Sequence, residues 1–238
     1  NEKCKIIYYS AFIDCSGLTE VDLSQCTNLT SIGDSAFEGC SGLKSIDLPS
    51  SLTSIGEGAF EGCTNLQPSV TDQGVEYLGN SDNPYLVLWD GTGITTSSYT
   101  VNENCKFIHS SAFREFSGLT SITLPSSLRS IGMYAFDGCS GLETLEYKGT
   151  IDQWLSIDFG SSWMGDLSHT FIVNGEELTN LVVPEGVTSI GEQAFSYCRG
   201  LTSITLPLSL TSIGNSAFRD CKGLETLEYK GTIEQWLS

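Results

Sequence analysis

The sequence is short of positive charge, of histidine and of long apolar runs, and each shortage removes a class of function. Only 11 Lys and Arg stand against 29 Asp and Glu, a formal net charge of −18. Nucleic acids and anionic membrane surfaces require clustered basic side chains, and those here are scattered from Lys3 to Lys230. No apolar run approaches the roughly 18 to 20 residues that cross a bilayer. The longest, around Tyr85 to Trp89, is strand-sized. There is no Cys-x-x-Cys pair, which argues against zinc. The chain starts at Asn1 with neither initiator Met nor leader, so a trimmed segment is expected, with any signal or anchor outside it.

What the sequence has instead is repetition. Leu43 to Cys63 reads LKSIDLPSSLTSIGEGAFEGC, and Leu119 to Cys139 reads LTSITLPSSLRSIGMYAFDGC. Leu201 to Cys221 reads LTSITLPLSLTSIGNSAFRDC. An Ala-Phe pair recurs at Phe12, Phe37, Phe60, Phe113, Phe136, Phe195 and Phe218, with three gaps of 23 residues and one of 25. The other two gaps, of 53 and 59 residues, must hold insertions. Leu-x-x-Ile-x-Leu is a short strand by its period-2 alternation, and Pro49 ends it because proline cannot donate to a ladder. Leu-x-x-Ile-Gly makes a second extended run, and Ala-Phe-x-x-Cys closes the coil with a turn. A unit this small cannot bury eight apolar side chains alone. Stacked coils turn each position into a continuous column, with strands about 4.8 Å apart in a parallel sheet.

The expected organisation is therefore one repeat domain over 1–238. Repeats span 1–66, 105–147 and 181–238, with insertions at 67–104 and 148–180 and the start of another at the end. In the first insertion VEYLGNSDNPYLVLWDG reads as a hairpin, and Asn174-Gly175 in the second is a type I′ turn signal. GLETLEYKGTIDQWLS at Gly141 to Ser156 returns at Gly223 to Ser238 with one change, and NEKCKIIYYSAF resembles NENCKFIHSSAF at Asn102. These copies point to a window on a longer array.

The units resemble the BspA-like, or treponemal-type, leucine-rich repeats. Departures are Phe116 in the usual Cys position and LSQCTNL in place of LPSSL. The resemblance implies a curved, right-handed solenoid, mostly strand and loop. It also implies display outside the cell or on its surface, and adhesion to proteins or glycans of host or neighbouring cells. It brings no catalytic residues, no cofactor and no metal.

Six of the nine cysteines share one repeat position: Cys15, Cys40, Cys63, Cys139, Cys198 and Cys221. Spacing does not exclude bridges between neighbours, but parallel inward side chains favour free, buried thiols. His109 aligns with Tyr8, which argues against an acid–base role, and His169, near Asp166 and Glu176, is expected at the surface. Asp90-Gly-Thr-Gly and Asn80-Ser-Asp-Asn offer oxygens for calcium, yet turn chemistry explains them as well.

The outward strand positions form a polar, partly acidic face: Ser45, Asp47, Ser121, Thr123, Thr144, Glu146, Ser203, Thr205, Thr226 and Glu228. Binding hot spots are rich in Trp and Tyr. Tyr77, Tyr85, Trp89, Trp154 and Trp163 of the insertions are therefore candidate contacts, within hairpins at Tyr77 to Trp89 and Trp154 to Val173. The competing reading is that such rings, with Trp236, pack the insertions onto the solenoid. A binding module leads. A structural spacer is the alternative, lattice binding by the Ser/Thr rows is weaker, and an enzyme comes last.

Overall fold

The computed structural model describes residues 3–232, so Trp236 lies outside the described residues. It is a β-solenoid with one short helix among the described residues, and every coil of the regular template there contributes two strands. One ladder is built from the Leu-x-x-Ile-x-Leu runs. Glu20–Asp22 pairs with Ser45–Asp47. Ser98–Thr100, Ser121–Leu124, Thr144–Tyr147 and Thr170–Val173 then follow in parallel. Asn180–Val182, Ser203–Leu206 and Thr226–Tyr229 complete it. The second ladder uses the Ser-Ile runs, as in Ser31–Ile32 against Ser54–Ile55 and Phe107–Ile108 against Ser130–Ile131.

Both ladders break at the same two places. Among the described residues no strand pairing links Ser54–Ile55 to Val87–Asp90, or Asp158–Phe159 to Ser189–Ile190. The solenoid is thus three blocks in series. Inside a block the template phenylalanines stack nearly parallel, with Phe37 and Phe60 5.7 Å apart and Phe113 and Phe136 5.1 Å apart. Across the breaks the contacts become edge-on, Phe60 to Trp89 at 6.4 Å and Phe171 to Phe195 at 6.1 Å.

The residues between repeats are partly coils in disguise. Val87–Asp90 pairs in parallel with Phe107–Ile108, and Asp158–Phe159 with Ser130–Ile131. Gly160 sits where Gly132 sits one coil earlier, and Trp163-Met164 take the place of Ala-Phe. Ahead of the first such coil, Val70–Asp72, Val75–Leu78 and Val87–Asp90 form an antiparallel meander, which contains the expected hairpin. In the other segment Thr170–Val173 turns back on Glu176–Glu177 through Asn174 (φ 51°) and Gly175 (φ 86°), the two positive φ values of a type I′ turn.

The stretch from Trp154 to Val173, by contrast, is not a hairpin. It opens with the helix Ile151–Leu155 and runs through a strand and a turn. Thr150 caps the helix: its side chain accepts from the Gln153 N–H while the Gln153 side chain accepts from the Thr150 N–H. The Thr-x-x-Gln spacing carries that signal in the sequence.

The cysteine column does more than fill space. None of the nine cysteines is in a disulfide, and Cys40, Cys63, Cys139, Cys198 and Cys221 are buried. Cys40, Cys63, Cys139 and Cys221 each donate to the carbonyl of the Phe one coil back, at 3.1, 3.2, 2.8 and 3.0 Å. Cys15 departs from the expectation and is exposed. Thiol titration with a maleimide should modify Cys15 readily, and Cys4 and Cys26 more slowly. The five buried column thiols and Cys105 should react only after denaturation, which peptide mapping checks.

Candidate binding face and the junction between blocks

Outward residues of the first ladder fall into rows fixed by the register. Asp22 stands beside Asp47, both exposed. Thr100, Thr123, Glu146 and Ile172 form one row, and Val182, Thr205 and Glu228 another. Thr123 donates to Glu146 at 3.3 Å, and Lys148 lies 2.5 Å from the same carboxylate. Glu228 is exposed and Thr205 half-buried. The Asp22 carboxyl is held below the usual range by the Ser24 side chain and backbone, which donate to it. These rows supply donors, acceptors and negative charge, with Val182 and Ile172 the apolar exceptions.

The aromatic candidates fare differently. Tyr77, Trp154 and Trp163 are buried at 0%, 1% and 1% exposure, so they fill core and cannot meet a partner. Tyr77 pairs its hydroxyl with that of Tyr99 at 2.7 Å. Trp154 and Trp163 donate from their indole nitrogens to the Ala194 and Gln193 carbonyls, at 2.9 and 3.3 Å. They bridge the second break. Tyr85 is half-buried and edge-on to Tyr77. Trp89 is half-buried at the first break, between Phe60 and His109, whose ring centroid is 4.2 Å away.

His169 also departs from its expected surface position. It is 1% exposed, bonded through Nδ1 to the Leu167 carbonyl at 3.0 Å, with Nε2 3.7 Å from the Cys198 sulfur. Its backbone bridges to Cys198, which drags the ring inside. Burial lowers its pKa, and burial lowers that of His109 to about 4 against opposition from the Ser110 backbone and Asp90. Asp90 accepts from the Thr92 N–H and hydroxyl, both at 2.7 Å, and so shapes its own turn.

The histidines give stability a pH dependence. Both are neutral at pH 7, and the unfolded chain takes up protons near pH 6.5 while the folded chain resists. Stability is therefore full above about pH 6.5 and lost as pH falls towards the folded values. For His109 alone the loss approaches about 3 kcal/mol at pH 4. Protonation of carboxylates relieves repulsion in the same range, so the comparison must be with His109→Phe. Melting curves from pH 7 to pH 4 should be flatter in that variant.

At the first break a groove of about 210 Å³ opens on the second-ladder side. One wall carries Asp34, Ile55 and Glu57, the other Phe107, His109 and Asp158. Ile55 shows its origin. Equivalent residues inside blocks, Ile32 and Ile131, are 1% and 0% exposed, whereas Ile55 is half-buried because no strand follows it. A second cleft of about 240 Å³, with Phe60, Glu61 and Trp89, adjoins it through His109 and Ser110.

The BspA type leucine rich repeat family matches the sequence in six copies, over residues 1–82, 92–162 and 168–236. The regular units and most of the two intervening segments thus fall under one description. Similar solved structures include a leucine rich cell surface protein of Faecalibacterium prausnitzii A2-165, 24% identical. Its TM-score is 0.42, over 98% of this chain and 71% of that one. The T. pallidum leucine rich repeat protein is 20% identical with a TM-score of 0.32, over 93% and 72%. The pneumococcal vaccine antigen PcpA is 20% identical with a TM-score of 0.38, over 96% and 61%. Comparison with curated proteins gave no significant match. The repeated Leu-x-x-Ile-x-Leu strands, the Ser-Ile-Gly runs and the Ala-Phe-x-x-Cys turns place this chain in the BspA-type leucine-rich repeat family.

Proposed function

We propose that this chain is a binding module displayed on a bacterial surface, recognising proteins or glycans without turnover. The observation that carries the reading is the outward rows of the first ladder. The inward columns, the glycines and the prolines are accounted for by packing, but Asp47, Thr123, Glu146, Thr205 and Glu228 are not. A rigid repeat scaffold fixes the geometry of such a face without dictating its sequence, which is why faces of this kind carry recognition. Tyr85 and Trp89 remain as half-buried aromatic candidates, Trp89 in the cleft at the first break. Surface display fits the similarity to a leucine rich cell surface protein of F. prausnitzii.

The test is capture. The immobilised chain is challenged with purified extracellular-matrix proteins and mucins, and retained partners are re-measured against Asp47→Asn, Glu146→Gln and Glu228→Gln together. Saturable binding weakened at least tenfold by the triple variant supports the face. Retention of nothing across the panel leaves the spacer reading in its place.

A further inference from the structure

The groove at the first break deepens the binding-module reading and rests on it. It is smaller than the roughly 300 to 1,000 Å³ of pockets that take cofactors or drug-sized molecules, and suits one long side chain. Its lining is one-sided in charge. Asp34, Glu57 and Asp158 are exposed carboxylates on its rim, and neither it nor the adjoining cleft is lined by any Lys or Arg. The nearest basic groups are engaged elsewhere: Lys106 donates to the Ser50 carbonyl at 2.7 Å, and Arg129 to the Leu128 carbonyl at 3.1 Å.

A second observation is independent of the carboxylates. His109 lines both clefts, and its Nε2 is enclosed without a hydrogen-bond partner among the described residues. The ring is neutral at pH 7, because burial pushes its pKa down to about 4. A neutral imidazole keeps one ring nitrogen as an acceptor, so the ring adds a polar acceptor and no positive charge to the groove wall. Between the polar groups lie Ile55, Val87, Phe107 and Phe159, an apolar floor for an aliphatic stem.

We propose that this groove receives an arginine side chain from an extended segment of a partner protein. Arginine matches better than lysine because its five donors, fixed in a plane, reach acceptors spread around a rim, and its three methylenes cover the floor. The break in both ladders is then functional as well as architectural. Here inward columns become accessible beside carboxylates in the middle of the solenoid.

The probe is a fluorescent peptide with two arginines separated by Gly-Ser spacers, compared with the same peptide carrying citrulline, which keeps the shape and removes the charge. Binding is followed by anisotropy at 0.15 M salt. The arginine peptide should bind saturably and the citrulline peptide at least tenfold more weakly. Asp34→Asn, Glu57→Gln and Asp158→Asn together should cost the arginine peptide at least tenfold. The asparagine at 34 keeps the acceptor that Glu57 N–H uses at 3.0 Å. The control is Glu176→Gln, Glu177→Gln and Glu225→Gln, an equal change of net charge at exposed residues that line neither cleft, expected to cost less than twofold. Melting temperatures of both variants verify folding. Equal losses in the two triple variants would mean diffuse attraction to an acidic protein and would overturn the proposal, as would equal binding of citrulline. Failure of the arginine peptide alongside successful capture of panel partners would sink the groove and leave the binding module standing.

Discussion

Gly132→Ala should cost at least about 3 kcal/mol, although it adds only one methyl group. A Cβ at Gly132 would lie 2.4 Å from the Ser110 nitrogen and 2.8 Å from the His109 carbonyl carbon and the Ser110 Cα. All three are backbone atoms of the preceding coil, so no side chain can rotate away. Relief requires the coils to separate, and that stretches the Gly132 N–H to Ile108 carbonyl bond, now 2.8 Å. Overpacking in a well-filled interior typically costs about 1 to 3 kcal/mol, more when backbone must move.

Gly191 occupies the same template position and supplies the control. Its added Cβ meets only the Phe159 ring, at 3.3 Å, because the ladder is broken there. Gly191→Ala should therefore stay within about 1 kcal/mol of the parent. Urea unfolding of the two variants separates a column-wide requirement for glycine from one that holds only where coils are hydrogen-bonded. Equal costs would disprove the account.

That contrast marks what the sequence can reveal. The columns were legible because identical side chains recur at fixed spacing, and a side chain that touches its own copy must keep its shape. Leu43, Ile46, Leu48, Leu52, Ala59, Phe60 and Cys63 are all buried, as periodicity requires. The family resemblance rests on the same residues. The coil at Gly160 to Met164 was hidden because Trp163-Met164 replaces Ala-Phe, and only its glycine keeps the template. The breaks leave a fainter trace. At the first, Trp89 and His109 stand where neighbouring coils have glycine. Trp89 has no paired coil before it, whereas His109 keeps its N–H bond to the Leu88 carbonyl at 2.8 Å, so a bulky residue in the glycine column signals local repacking and does not by itself mark a break.

Of the two readings of the insertion rings, packing holds for Tyr77, Trp154 and Trp163, and the sequence leaves both open for a related reason. A tryptophan outside the repeat looks free of packing duties when the repeat alone defines the core. A degenerate coil needs larger side chains instead, because it lacks the phenylalanine that its neighbours stack. The outward rows were placed correctly on strands, since a period of 2 fixes which residues face out. Their partner was not legible, because polar rows of Ser, Thr and Glu fit many surfaces.

Trp154→Ala should have the other large effect, and it should change how the protein unfolds as well as when. Trp154 is 1% exposed and touches Tyr147, Phe159, Trp163 and Phe171 with centroids 4.7 to 6.0 Å apart. Truncating a tryptophan so enclosed costs about 3 to 5 kcal/mol. It also leaves the Ala194 carbonyl without the indole donor that crosses the second break. A repeat protein is stabilised by its units and by the interfaces between neighbours, and it stays cooperative only while those interfaces are strong. At this break the strand pairings are missing, so coupling rests on the two indole bonds, the backbone bonds joining His169 to Tyr197 and Arg199, the bonds from Arg199 to Thr170 and from Tyr197 to Asp166, the Arg219–Asp166 ion pair and edge-on ring contacts. Removing Trp154 weakens the interface more than either block. Calorimetry should then resolve two transitions where the parent shows one, the earlier belonging to the block from Asn180 to Tyr229. A single transition, merely shifted to lower temperature, would mean that the break is not the weakest interface of the solenoid.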